Sequence, residues 1–458
     1  MTVAFGELLP GTRRALSHRL AVGQAQGRTP SLVGALVRSG QVVWTDSRSM
    51  VDGHSPDADV QYRIGSITKT FIAVQVLRLR DEGVLSLADP LERHLPGTPA
   101  GELTIAQLLS HTAGLASETA DPWWERTPGT LRPELADVLP EQPLRHPAGR
   151  RFHYSNPGFA LLGALVERLR GMPWHEVLRR EVLEPLGMDR TTPLPQSPHA
   201  GGFAVHPWAD LMMPEPLTDT GLMAPAGQLW STTADLARFA AFLAAGHEKV
   251  LHADSIAEMC RAASGAEDRE WTSAYGLGLQ LRREDGRVLY GHTGSMPGFV
   301  AALWVSQDDD ASAVVLANST AGTPVPTIAA DLIRIVAEQE PRFPEPWRPL
   351  TDADPELLAL TGPWYWGPSA LVLRLRAQRA LELTPLDAGR GSRFRAEPDG
   401  SWTGLDGYYA GEPLHVVRRA DGTVSHLNIG SFVLTRTPYD PAAPIPGGVD
   451  PQGWPTTG

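Results

Sequence analysis

Apolar and polar positions fall into short patterned blocks along the first three quarters of the chain. Residues 31–47, "SLVGALVRSGQVVWTDS", hold two apolar segments around Ser39-Gly40, the pattern of a β-hairpin. Residues 66–82 take helical spacing, with Phe71, Val74, Leu77 and Leu79 apolar and Gly83 as the stop, and predict an amphipathic helix. A short helix is expected over 103–115, running into a glycine turn, and a longer one over 158–171, stopped by Gly171. Residues 231–246 open on a Thr232-x-x-Asp235 capping box and stop at Gly246. Strands follow at 287–294, 299–306 and 311–319, and a helix at 325–339 closes the region. A strand pair, then helices, then antiparallel late strands predict an α/β (α+β) domain over 1–340. Its sheet, mixed or antiparallel, is flanked by helices, with a helical subdomain inserted in the middle.

The pattern changes near residue 341. "PRFPEPWRPLTDADP" has five prolines in fifteen residues and reads as a linker over 341–355. Beyond it, "ALVLRLR", "ALELTPL", "SWTGLDGYY", "LHVVRR" and "SFVLTRT" are short alternating segments separated by Gly, Asp and Pro. Their spacing predicts an all-β domain over 356–440, a sandwich or small barrel. The Pro/Gly-rich stretch 441–458 reads as a disordered tail.

Composition narrows the function classes. The 458 residues are 42% hydrophobic, enough for a large core, and the net charge of −12 is relieved by no basic cluster. Nucleic acid and anionic membrane surfaces are therefore not expected partners. The single cysteine, Cys260, excludes an intrachain disulfide and reads as a buried structural thiol. Arg13-Arg14 is followed by no apolar core of about 7–15 residues, so no signal peptide is read. No apolar stretch reaches about 18 residues, so no transmembrane helix is read, and the expected setting is the cytoplasm. No sign of oligomeric state is visible in the sequence.

The two lysines, Lys69 and Lys249, stand against 38 arginines. Lys69 lies three residues after Ser66 in "RIGSITKTF", so a helix puts both side chains on one face. A serine hydroxyl is a poor nucleophile until a base takes its proton. Arginine cannot be that base at working pH, whereas a buried lysine can. The plain alternative is a helix-start serine followed by a surface lysine. The scarcity of lysine favours the chemical reading. No G-x-S-x-G, H-E-x-x-H, paired Cys/His metal spacing, G-x-x-x-x-G-K-[ST] or strand-following G-x-G-x-x-G occurs, so neither a metal nor a nucleotide cofactor is expected. His111 and His153 are solitary and read as structural.

"HYSNPGF" adds Tyr154-Ser155-Asn156, and "YGHTGSMPGF" adds His292-Thr293-Gly294. S-x-x-K, Y-x-N and [KH]-T-G in this order resemble the serine β-lactamase and penicillin-binding family. The likeness is closest to the class C β-lactamase-like branch with its D,D-carboxypeptidases, D-aminopeptidases and esterases. "LLSHTAGL", "LSLADPLERHLP", "LEPLGM" and "PAGQLWSTTADLARF" resemble the same branch, and the resemblance covers roughly residues 25–340. It implies Ser66 as the acylated nucleophile, Lys69 as its base and Tyr154 as the proton shuttle to the leaving group and from the deacylating water. It also implies Asn156 as a partner of the substrate amide, and the backbone N–H groups of Ser66 and Ser295 as the oxyanion hole. The His292-Thr293-Gly294 strand would bind substrate, with Lys69 and His292 supplying the field that a phenol needs to act as base.

One departure matters. Class C β-lactamases usually carry lysine where this chain has His292, so a substrate carboxylate meets a weaker fixed charge. The HTG form resembles the peptidase and esterase members, and the missing export signal also argues against antibiotic defence. The C-terminal region resembles the small lipocalin-like barrels appended to some D-aminopeptidases and penicillin-binding-type thioesterases. Trp123-Trp124 lie in the segment that lines the cleft in this family and are open to packing or to aromatic substrate contact. The expectation is a cofactor-independent serine acyl hydrolase acting on a small-molecule or peptide ester or amide, with peptides bearing a D-residue among the candidates. The alternatives are a thioesterase or peptide cyclase, a β-lactamase, and a catalytically silent ligand-binding module.

Overall fold

The computed structural model describes residues 7–120, 122–131, 134–265, 271–343, 346–387, 389–439 and 442. The expected tail at 441–458 lies outside the described residues apart from 442. The chain divides into two compact units, Met1–Phe343 and Pro344–Gly458.

A seven-stranded antiparallel sheet organises the first unit. Its strands are β1 (Ser31–Arg38), β2 (Gln41–Ser49), β3 (Ser273–Tyr275), β4 (Gln280–Glu284), β5 (Arg287–Met296), β6 (Phe299–Ser306) and β7 (Ala311–Ala317), in the order β2-β1-β7-β6-β5-β4-β3. β1 and β2 form the expected hairpin, with Ser39 and Gly40 both at positive φ, as a tight two-residue turn demands. β1, β6 and β7 are nearly continuous apolar runs because both faces of the sheet are covered. On one face lie the helices α1 (Pro10–Gln26) and α5 (Val325–Gln339), sealing a core with Leu16, Leu20, Ile328, Leu332 and Ile333. On the other lie α2 (Thr68–Asp81), α3 (Asn156–Arg170) and α4 (Thr233–Ala245), which enclose the larger core.

α2 departs from the amphipathic expectation. Every residue from Thr68 to Leu77 is buried, and Leu79 as well, because the helix sits in the middle of the unit. α3 starts at Asn156, with the Ser155 hydroxyl accepting the Gly158 N–H at 3.1 Å, and ends at Gly171 in the left-handed region. At α4 only half of the expected capping box forms. Thr232 accepts the Asp235 N–H, but the Asp235 carboxylate takes the Arg190 N–H and the Thr191 hydroxyl instead of reaching back. α1, β3 and β4 were not expected. Cys260 is half-buried, packed against the edge of the larger core, and burial raises its thiol pKa to about 12.

The second unit is an eight-stranded antiparallel meander: β8 (Gly362–Trp366), β9 (Ser369–Leu375), β10 (Leu381–Pro385), β11 (Ser392–Ala396), β12 (Trp402–Gly404), β13 (Pro413–Arg418), β14 (Val424–Ile429) and β15 (Phe432–Leu434). Tyr365 of β8 and Thr435, just past β15, exchange backbone hydrogen bonds of 2.7 and 2.9 Å, so the sheet nearly closes into a barrel. Trp364, Leu373, Leu383, Phe394, Leu414 and Leu427 fill its inside. Of the two expected all-β forms, the barrel is the one adopted.

The clusters of the first unit run no further than Val336, and the barrel core begins at Leu357. Residues 1–343 expressed alone should therefore melt in one cooperative transition. A non-cooperative melt with exposed apolar surface would show that the unit depends on the rest of the chain.

Candidate active site

Ser66 stands in a 3₁₀ turn, Gly65–Ile67, that leads directly into α2. One turn on, the Lys69 Nζ donates to Ser66 Oγ at 2.9 Å and to the Ala226 carbonyl at 2.6 Å. Lys69 is fully buried, and that burial lowers its pKa to about 7 against the opposing pull of Glu118 and Glu125. The Ala226 carbonyl belongs to the short helix Ala224–Gly227. Gln228, which follows it, accepts from the buried Arg63 guanidinium at 2.7 Å, so an internal polar contact braces the lysine's acceptor.

Two backbones meet at the serine. Gly65 has φ +52°, and a Cβ there would lie 2.5 Å from Ser295 N. A Cβ on Gly294 would lie 1.9 Å from Ile64 O and 3.1 Å from Ser66 N. The amides of Ser66 and Ser295 are thus brought to one place by two positions with no room for a side chain. β4 stops pairing with β5 at Gln280↔Gly291, which leaves the outer edge of β5 open from His292 onward. Thr293 N–H faces that edge, where it donates to Gln280 Oε1 at 3.1 Å. Ser295, two residues along the same strand, presents its N–H to the same side.

The Tyr154 ring lies 5.0 Å from Lys69 Nζ and is half-buried. Burial raises the phenol's pKa well above the usual value, and a hydrogen bond with Ser66 works weakly the other way. Beside it is an aromatic box. His111 packs 4.2 Å from Tyr154 and 4.6 Å from Tyr275, and its Nδ1 accepts the Ser155 N–H at 3.1 Å. The His292 Nδ1, 2.6 Å from the Thr293 carbonyl, must donate, so Nε2 accepts from the Tyr275 hydroxyl at 3.0 Å. Burial and the nearby Lys69 push the His292 pKa down to about 3, and that of His111 is also far below normal.

This corrects one expectation. His292 does not add a cationic field beside Tyr154: it is neutral, and both ring nitrogens are occupied by protein. The structure brings Ser66, Tyr154, Thr293, Gly294 and Ser295 to the wall of one hollow of about 310 Å³, with Lys69 beneath the serine. Asn156 and His292 are not on that wall. Asn156 Nδ2 donates to Glu118 Oε1 at 2.7 Å, and Trp124 Nε1 donates to Glu118 Oε2 at 2.7 Å. Trp124 is therefore a packed residue, while Trp123 is exposed against Arg126. His111, Glu118 and Gln280 were missed as site residues. His111 lies inside the quoted "LLSHTAGL", and Glu118 follows three residues after it; Gln280 carries no sequence signal.

The Beta-lactamase family model matches residues 13–338, and the chain belongs to that family. A second model, a domain of unknown function (DUF7586), matches residues 353–436. Penicillin-binding protein 4 of Amycolatopsis lactamdurans is 29% identical over 325 residues, 66% of this chain and 84% of that protein. Putative beta-lactamase-like 1 of Homo sapiens is 28% identical over 60% of this chain, which spans 58% of its length. Among solved structures, the octameric penicillin-binding protein homologue from Pyrococcus abyssi matches with a TM-score of 0.63 at 22% identity, over 92% of this chain and 99% of that one. D-amino acid amidase from Ochrobactrum anthropi SV3, complexed with D-phenylalanine, matches with a TM-score of 0.63 at 22% identity, over 72% and 100%. Among the described residues, no helix is long and apolar enough to cross a membrane.

Gly294→Ala should cost roughly 10²-fold in hydrolysis of an activated ester, because a methyl there forces β5 away from Ser66. A variant with unchanged activity would mean that the two amides do not need their present spacing.

Proposed function

We propose that the chain is a serine acyl hydrolase that cleaves an ester or amide through an acyl-enzyme on Ser66. The observation that carries this reading is the 2.9 Å contact between Ser66 Oγ and a fully buried Lys69 whose pKa is about 7. Near neutral pH a large share of that amine is unprotonated and able to accept a proton.

The steps follow from the geometry. Ser66 Oγ attacks the substrate carbonyl carbon as its proton passes to Lys69 Nζ. The oxyanion forms against the N–H groups of Ser66 and Ser295, the first lying at the start of α2 where the helix dipole also favours negative charge. The leaving amine or alkoxide takes a proton through the Tyr154 hydroxyl, and the bond to the carbonyl carbon breaks. Water then gives a proton back along the same path to Lys69 and attacks the Ser66 ester; the Oγ–acyl bond breaks as Ser66 Oγ takes that proton from Lys69, and the acid leaves. Tyr154 acts as a neutral relay in this scheme, in keeping with its raised pKa, and the one titrating base is Lys69.

The candidate substrates are aminoacyl or peptidyl compounds, including those with a D-residue. Glu118 and Glu125 place two carboxylates near Lys69, a setting that suits a substrate ammonium group. Asn156 holds Glu118 through Nδ2 and so keeps that carboxylate in place. The fold likeness to D-amino acid amidase agrees with this choice. The neutral, enclosed His292 offers no fixed charge to a β-lactam carboxylate.

Burst acylation by a p-nitrophenyl ester, with the adduct mapped to Ser66 by peptide mass, tests the reading. The acylation rate should rise with pH and level off above about 7, as Lys69 loses its proton. Lys69→Arg should fold and fail to acylate, with a deficit close to that of Ser66→Ala, because the two act as a unit. A folded Lys69→Arg protein that acylates at near the normal rate, or a flat pH profile, would sink the proposal.

A further inference from the structure

The hollow beside Ser66 is the smaller of two that meet. Across Gln280, Thr293 and Pro326, which line both, lies a hollow of about 770 Å³. It runs along the β3 and β4 side of the sheet, beside the start of α5. A volume of this order accommodates a ligand much larger than a single acyl group. Its walls are mixed: Phe152, Tyr275 and Trp304 are aromatic, while Thr272, Arg282 and Glu284 are polar or charged. Such walls suit a peptide, with its alternating amides and side chains, and do not suit a lipid chain, which calls for apolar lining throughout.

The seam between the hollows has a defined donor. Gln280 Oε1 accepts both the N–H and the hydroxyl of Thr293, each at 3.1 Å. A backbone N–H can only donate, so the carboxamide has one orientation and Nε2 points its two N–H groups elsewhere. Among the described residues, Nε2 has no protein partner. Gln280 is also where β4 ceases to pair with β5, so its side chain caps the ladder where an incoming strand would continue it.

The geometry points to the larger hollow as the subsite for a peptidyl extension of the substrate, with Gln280 Nε2 donating to a peptide carbonyl where the chain passes between the hollows. This rests on the acyl-hydrolase reading for the scissile bond, but binding can be measured without any chemistry. In the Ser66→Ala protein, D-phenylalanyl-triglycine should bind about 10-fold more tightly than D-phenylalaninamide. Gln280→Glu keeps an acceptor for Thr293 and removes the donor; it should erase most of that gain. Thr272→Trp, at an exposed position that lines only the larger hollow, should fill it and have the same selective effect. Calorimetric titration reads the dissociation constants, and thermal melting confirms that each variant is folded. Equal affinity for the two compounds, no binding of either, or variants that weaken both alike would overturn the assignment. A protein that acylates Ser66 but shows no length preference loses only the subsite. One that prefers the longer peptide but never acylates loses only the enzymatic reading.

Discussion

A buried amine is the constraint on which the site depends. Water stabilises an ammonium ion far better than a protein interior does, so enclosing Lys69 in the middle of the unit shifts it toward its neutral form. That enclosure requires α2 to be apolar nearly all round, with the sheet on one side, α3 on another and Phe239 of α4 stacked on Phe71. It also requires acceptors for the amine's protons, which Ser66 Oγ and the Ala226 carbonyl provide. The Arg63–Gln228 contact and the Ala224–Gly227 helix then serve the lysine, since a displaced Ala226 carbonyl would leave a buried donor unpaired.

The surrounding groups are neutral for the same reason. Tyr154, Tyr275, His111 and His292 all sit where burial penalises their charged forms. They are linked by ring contacts and by the Tyr275–His292 hydrogen bond into a box that fixes Tyr154 beside the serine. Lys69 brings charge to this box, and the carboxylates that oppose its deprotonation, Glu118 and Glu125, come from the segment before α3. The balance between burial and those carboxylates sets the lysine near neutrality. It would also let a cationic substrate group change that balance when it binds.

Much of this was legible in the sequence, and the exceptions have physical causes. The hairpin, the helix at 325–339, the late strands and the barrel follow from local period and turn chemistry, which are properties of adjacent residues. Ser66 and Lys69 are legible because one helical turn joins them. α1 is hard to read in the sequence because its apolar residues are few and tertiary packing against α5, β1 and β2 is what buries Leu16 and Leu20. The spacing of α2 predicts a half-exposed helix because spacing alone cannot tell one covered face from two. The charge assigned to His292 failed for a related reason: a histidine's state follows from burial and hydrogen bonds, neither of which is written in its neighbours in the chain. Glu118 and Gln280 gain their places through contacts between distant segments, with Asn156 and Thr293 respectively.

The scarcity of lysine allows the central claim to be measured at a single atom. In a Lys249→Arg protein grown with ¹⁵N-lysine, Lys69 is the only side-chain amine that carries the label. Its Nζ chemical shift followed against pH should titrate with a midpoint near 7 and should lose that midpoint when the protein is unfolded in denaturant. A midpoint near the ordinary lysine value of about 10.4 in the folded protein would mean that the amine is protonated at working pH and cannot take the serine's proton.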